Sequence, residues 1–259
     1  MIYFIIKINH LYIKKMSSKE FPEICIYIGE SIDGKGSGEM LYMPENRPAV
    51  RYYFQNEYTF GFKSILMGRA TFEEVLVADK KMNKINYEGL STDNIDKKDF
   101  LSELRTKTDY YYITIDKNGK LPWPTGYGLY GTYLGRKTET HIITILSEDV
   151  DKKYLAYLQK VGVSYIFAGE KNIDLKIAMK KLKNLFGIEK LMCQGGPKTN
   201  ELLLKENLVQ KLIVVKMPVI AQPGALSIFG NSPLSKWTLE SFKMIDDKNS
   251  FIIIYNKKE

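Results

Sequence analysis

The most chemically suggestive stretch of the chain is "LMCQGGPKTNELLL", Leu191 to Leu204, in which Gly195 and Gly196 lead into Pro197. The apolar run before the glycines reads as a strand. The run after them reads as an amphipathic helix with proline at its first position, where a missing N–H costs nothing. A helix N-terminus offers unpaired N–H groups and the positive end of the dipole, and glycines ahead of it let an anion reach both. A tight strand-to-helix turn with positive φ and no ligand needs one glycine; the second points to a bound group. "ILMGRATFEEV" repeats the arrangement, with Gly68 and Arg69 at a helix start and Thr71 behind them. A cation is disfavoured at that end of a helix. Either Arg69 grips an anion, which its planar fork suits, or it is an ordinary surface arginine. Ser147 follows a third strand, "THIITIL", at the expected N-cap of a helix with Glu148 and Asp149 in its first turn; as a cap it needs no ligand.

These junctions need strands and helices to hold them. Strand patterns fall at 24–29, 64–68, 109–116, 140–146, 163–169, 188–194, 212–220 and 251–256. Helical spacing follows Gly68, runs from Ser147 to about Lys160, from Asp174 to Phe186, and on from Pro197. Strand and helix alternate about every dozen residues through the second half. That predicts an α/β fold, a mostly parallel central sheet flanked by helices, with the last strand antiparallel at an edge. One domain is expected over residues 22–259, with residues 1–21 as an N-terminal extension. In a parallel sheet the three junctions share the carboxyl edge of the strands, where open α/β sheets bind ligands. Together they could surround one phosphorylated molecule.

Composition narrows the classes. The 259 residues carry a net charge of +8 and are 44% hydrophobic, ordinary for a globular cytoplasmic protein. Two cysteines, Cys25 and Cys193, both inside apolar runs, read as buried thiols rather than a disulfide framework. With only His10 and His141, a histidine metal site has almost no material, and no metal is expected. No stretch has the length of a membrane span. The basic balance suits phosphate-bearing ligands, but the lysines are scattered and no nucleic-acid partner is expected. "GYGLYG" (Gly126, Gly128, Gly131) matches G-x-G-x-x-G as a string; it follows "LPWPT" rather than a strand, opens no helix, and reads as a flexible loop.

Three segments of the chain are similar to a known family. "ILMGRATFEEV" resembles the Gly-Arg-x-Thr segment of the dihydrofolate reductase superfamily. "LMCQGGPKTNELLLKENLVQKLIVVKMPVI" resembles the Gly-Gly-Pro strand–helix–strand run of its riboflavin-biosynthesis branch, the pyrimidine reductases. "ESIDGKGSGE" resembles that branch's Ser-Leu-Asp-Gly segment. The resemblance implies a dihydrofolate reductase-like fold, a homodimer, and NADPH as cofactor. It places Gly68, Arg69, Thr71 and Ser147 near the adenosine and its 2′-phosphate. Gly195, Gly196, Lys198 and Thr199 fall near the pyrophosphate and nicotinamide ribose, and Ser31, Asp33 and Gly34 line the substrate side. Glu57 is the candidate for the superfamily's buried carboxylate on that side. The implied substrate is a phosphorylated ribosylaminopyrimidine or a related pyrimidine- or pterin-like compound. A non-catalytic nucleotide-binding protein of the same fold is the alternative. No catalytic proton donor is assigned.

Overall fold

The computed structural model describes residues 20–245 and 249–258, so most of the expected 1–21 extension lies outside the described residues. One ten-stranded sheet organises the chain. Its strands are β1 (Glu23–Glu30), β2 (Ser64–Gly68), β3 (Tyr111–Ile115), β4 (Tyr127–Leu129), β5 (Glu139–Leu146), β6 (Ser164–Phe167), β7 (Lys190–Cys193), β8 (Val209–Lys216), β9 (Trp237–Met244) and β10 (Phe251–Lys257). Their spatial order is β4-β5-β3-β2-β7-β1-β8-β10-β9, with β6 also paired to β5. All pairings from β6 through β5, β3, β2, β7 and β1 to β8 are parallel. The antiparallel C-terminal edge contains two strands, β10 against β8 and β9 against β10.

Alternation along the central strands sorts side chains to the two faces. Ile24 and Ile26 of β1 face one side with Leu66, Ile113, Ile143 and Ile145. There they meet Ala178, Met179 and Leu182 of helix α4 (Leu175–Phe186) and Leu203 and Leu204 of α5 (Pro197–Lys205). On the opposite face Ile65, Met67, Tyr112 and Ile142 pack on α2 (Arg69–Ala78) and α3 (Lys152–Val161). Phe72 of α2 is fully buried there, edge-on to Trp123 and Tyr112. Burial of a side chain that size contributes about 2 kcal/mol before packing terms. Beside α2, helix α1 (Arg47–Asn56) covers Cys25, Tyr27, Met192 and Val215. Tyr27 and Tyr53 stack at 4.3 Å, and each hydroxyl donates to the other residue's carbonyl, at 2.8 and 3.1 Å.

The loop expected at "GYGLYG" is instead ordered. Tyr127–Leu129 pairs with the start of β5, at the opposite end of that strand from its carboxyl edge. A Cβ on Gly126 would lie 1.9 Å from the carbonyl oxygen of Gly162, so this glycine serves a close backbone crossing.

Candidate active site at the strand carboxyl edge

The parallel strands align their carboxyl ends in a row: Ser147 after β5, Asp116 after β3, Gly68 ending β2, Gln194–Gly196 after β7, Ser31 after β1, and Lys216 ending β8. From β5 to β1 the row spans four strand spacings, roughly 19 Å, room for an extended dinucleotide.

At its centre two junctions close on each other. Gly68 N donates to Gly195 O at 2.9 Å, and Gln194 N to Leu66 O at 2.9 Å. A Cβ on Gly68 would sit 2.7 Å from Thr199 Oγ1, and one on Gly196 would sit 3.6 Å from Thr71 Oγ1. Gly68, Thr71, Gly195, Gly196 and Thr199 therefore form one cluster. The Gly195–Gly196 peptide bond is cis. Gly195 has φ +86°, a conformation that favours glycine. Gly196 has φ −73° and ψ −167°, open to any residue, and a side chain there would meet only ordinary contact.

Helices α2 and α5 start at this cluster, and neither has a side-chain cap. Helices α3 and α4 are capped by Asp151 and Asp174, each accepting backbone N–H bonds of 2.8–3.0 Å. The converging α2 and α5 N-termini thus direct positive dipole ends and N–H groups without a side-chain cap at one place; at α5, Pro197 has no N–H and Thr199 N bonds Gly196 O at 3.0 Å, which leaves the Lys198 N–H in the first turn. Lys198 lies exposed on the first turn of α5. Arg69 is half-buried and forms an ion pair with Glu73 one turn along its own helix, so part of its charge is balanced without a ligand.

Ser147 stands differently from expectation. It is buried, and its hydroxyl donates to Lys117 O at 3.0 Å, tying the end of β5 to the turn after β3. The helix begins four residues later with Asp151 as its cap. The intervening backbone is held by the loop after β6, through Glu148 N to Gly169 O and Asp149 N to Glu170 O, which keeps it out of the helix.

On the other flank, the Ser31 hydroxyl donates to Asp33 Oδ1 at 2.6 Å and accepts from Lys35 N at 2.9 Å. Asp33 Oδ1 also accepts from Ala221 N at 3.0 Å. These bonds, the Ser31 hydroxyl first, hold the exposed Asp33 carboxyl below its usual range. Gly34 makes the turn at φ +75°. Beside this loop, Lys216 Nζ pairs with Glu30 at 2.6 Å and donates to Ser31 O at 3.1 Å. An open depression of about 470 Å³ lies here, lined by Ile32, Lys216, Met217, Pro218, Asn249 and Phe251.

Glu57 is buried as expected. It is 1% exposed, and both its oxygens accept 2.8 Å bonds from Arg136. Oε2 accepts a further 2.7 Å bond from Gln194 Nε2. A carboxylate so enclosed supports the turn after β7, with both oxygens bonded within the protein.

Sequence reading missed Asp116. Its Oδ2 accepts from Lys120 N, Leu121 N and the Tyr154 hydroxyl at 2.7–3.1 Å. Burial raises its pKa against those bonds. The signal was present: an aspartate ending a β-branched and aromatic run, three residues before a turn glycine. Cys193, under the glycine turn, has its thiol pushed up to about 12 by burial and is not a nucleophile.

A model of the RibD C-terminal domain matches residues 22–251. Among solved structures, the chain is similar to a pyrimidine reductase-like protein from Corynebacterium diphtheriae, with 18% identity, 92% of each chain covered and a TM-score of 0.57. It is similar to a riboflavin biosynthesis reductase from Saccharomyces cerevisiae, with 16% identity, 93% of this chain and 92% of that one covered, and a TM-score of 0.57. RibD from Acinetobacter baumannii follows at 15% identity and a TM-score of 0.55, with 94% of this chain and 60% of that one covered. No curated protein matches by sequence. The chain belongs to the RibD C-terminal domain family.

Proposed function

We propose that the chain is an NADPH-dependent reductase of a phosphorylated ribosylaminopyrimidine or a closely related compound. One observation carries the reading. The fold accounts for Gly195 through its positive φ and for Gly68 through Thr199, but neither the φ of Gly196 nor its contacts beyond its chain neighbours give a reason for glycine there. A ligand lying against that backbone supplies one, and the uncapped N-termini of α2 and α5 make it an anion.

In this reading, N–H groups at the starts of α2 and α5 bind the pyrophosphate, with Thr71, Thr199 and Lys198 beside it. Gly68, Arg69 and Ser147 lie on the adenosine side, and Arg69 exchanges some of its pairing with Glu73 for the 2′-phosphate. Ser31, Asp33 and Gly34, with Lys216 at the same flank, orient the substrate. When bound, the nicotinamide supplies hydride from its C4. The chain contributes alignment and charge balance, which are worth several kcal/mol of barrier when the reacting atoms are held in contact. A homodimer through the C-terminal edge is part of the proposal, since β9 leaves Leu239, Phe242 and Met244 about half exposed. A cytoplasmic site of action accords with this; no helix among the described residues is long and apolar enough to cross a membrane.

Fluorescence titration with NADPH tests the cofactor, and NADPH oxidation with a phosphorylated ribosylaminopyrimidine, with dihydrofolate for comparison, tests the reaction. No binding at millimolar NADPH would sink the proposal. Binding without turnover of either substrate would favour a second reading, a nucleotide-binding protein without catalysis. Glu57 favours that reading, because the carboxylate expected on the substrate side is enclosed.

A further inference from the structure

Under the Gly195–Gly196 turn lies a buried polar network that the cofactor contacts above do not use. Glu57 comes from just after α1, Arg136 from the segment between β4 and β5, and Gln194 from the end of β7. Each touches the other two. Arg136 Nε and one terminal nitrogen fork the Glu57 carboxylate at 2.8 Å, the same terminal nitrogen reaches Gln194 Oε1 at 2.6 Å, and Gln194 Nε2 returns to Glu57 at 2.7 Å. The Phe54 and Tyr112 rings flank the guanidinium at 5.6 and 5.3 Å.

We propose that Glu57, Arg136 and Gln194 are positioning residues that set the Gly195–Gly196 turn for its ligand. This rests on the reading of that turn as a dinucleotide site. Gln194 is the residue immediately before Gly195. Its side chain is locked by the ring of bonds below, its N–H is pinned to Leu66 O, and the next carbonyl is pinned by Gly68 N. The turn is thereby fixed from beneath and from the side. A buried ion pair is poor evidence for stability, because apolar packing often does as well. What the network adds is direction: a forked guanidinium admits one orientation of its partners, which apolar contact would not specify.

The ring holds one carboxylate, one carboxamide and one guanidinium, which suggests its own test. Glu57→Gln leaves the guanidinium without a carboxylate. Gln194→Glu puts two carboxylates on it. The two changes together exchange the groups and restore the balance. Each variant is titrated with NADPH and with adenosine 2′-monophosphate, which reaches the Arg69 end of the site and has no 5′-phosphate to place at the glycine turn. Each single change is expected to weaken NADPH roughly tenfold or more, the scale of a misplaced charge-assisted bond, while the 2′-monophosphate holds within about twofold. The exchange is expected to recover NADPH affinity to within about threefold. Arg136→Lys, which keeps the charge and loses the fork, gives the same split between ligands and serves if a single change prevents folding. Equal weakening of both ligands marks a general structural role and overturns the proposal. Unchanged NADPH affinity in the singles, or no recovery in the exchange, overturns it as well. A parent protein that binds neither ligand refutes the site itself, so the two failures are distinguishable.

Discussion

Gly196→Ala separates the demands of a ligand from those of the fold, and Gly68→Ala provides the contrast. At 196 the backbone, φ −73° and ψ −167°, suits alanine, and beyond its chain neighbours the new methyl meets only Thr71 Oγ1 at 3.6 Å. Removing a glycine stabilises by about 0.4–1 kcal/mol through the unfolded chain. Losing glycine at an N-cap costs a similar amount. The net change in stability is expected within roughly ±0.5 kcal/mol, a shift of about 2 °C or less for a chain this size. Binding is another matter. The methyl displaces an anion from the N–H groups at the start of α5, and losing one charge-assisted bond of about 1.5–3 kcal/mol weakens NADPH roughly 10- to 100-fold. At 68 the backbone is also permissive, but the methyl lands 2.7 Å from Thr199 Oγ1, where ordinary contact begins at 3.4 Å. Overpacking of that kind costs about 1–3 kcal/mol, and Thr199→Ala in the same chain is expected to return most of it. Urea unfolding measures the stabilities and fluorescence titration the affinities. A Gly196→Ala protein that binds NADPH like the parent would refute the ligand argument. One that unfolds far more easily would show that the fold needs this glycine after all.

Further outcomes follow from the same geometry. Arg69→Ala is expected to weaken NADPH far more than NADH, with under about 1 kcal/mol lost in stability because the Glu73 pair is half exposed; equal losses in both titrations would remove the 2′-phosphate assignment. Asp151→Ala is expected to cost about 1 kcal/mol in urea unfolding by uncapping α3, while Ser147→Ala leaves α3 capped; a larger helix loss from Ser147→Ala would reverse the assignment. His141 is fully buried with Nε2 2.7 Å from Ser164 Oγ, and burial lowers its pKa from 6.5 to about 4. The unfolded chain takes up this proton first as pH falls, so stability is full above pH 6.5 and is lost between there and about pH 4, by about 3 kcal/mol. Asp116, whose folded pKa is raised, contributes with the opposite sign. His141→Gln should therefore flatten the acid limb of the unfolding profile, and an unchanged limb would exclude His141 as its source.

Much of the frame was legible because buried strands and amphipathic helices write their periods into the sequence. The unread elements lack that imprint. Helix α1, "RPAVRYYFQN", buries only Ala49 and Tyr53 and is rich in tyrosine, a strand-favouring residue; stacking of Tyr53 on Tyr27 decides its place. Strand β9, "WTLESFKM", has no buried face to produce alternation, so its pairing with β10 gives the only sign of it. Ser147 and Asp151 lie four residues apart and both suit an N-cap. The choice between them rests on Lys117 O and the loop after β6, which are distant in sequence.

The site shows the same division at finer scale. A pair of glycines announces that a backbone matters, but the letters do not tell which glycine the chain itself needs. Gly195 is required by a left-handed φ and Gly68 by a hydroxyl 131 positions away in sequence. Gly196 is required by neither, and that difference appears only once the dihedral angles and neighbours are in place. Glu57 shows the converse: it is buried as expected, but its surroundings were not legible. Its type suited a buried carboxylate, yet its partners Arg136 and Gln194 stand 79 and 137 residues away and consume both oxygens. A carboxylate with both oxygens engaged inside the protein orients its neighbours, while a glycine that neither its φ nor its contacts beyond its chain neighbours demand marks the surface a ligand must approach. Functional assignment at this edge therefore turns on subtracting what the fold already explains, and position 196 is where the remainder is largest.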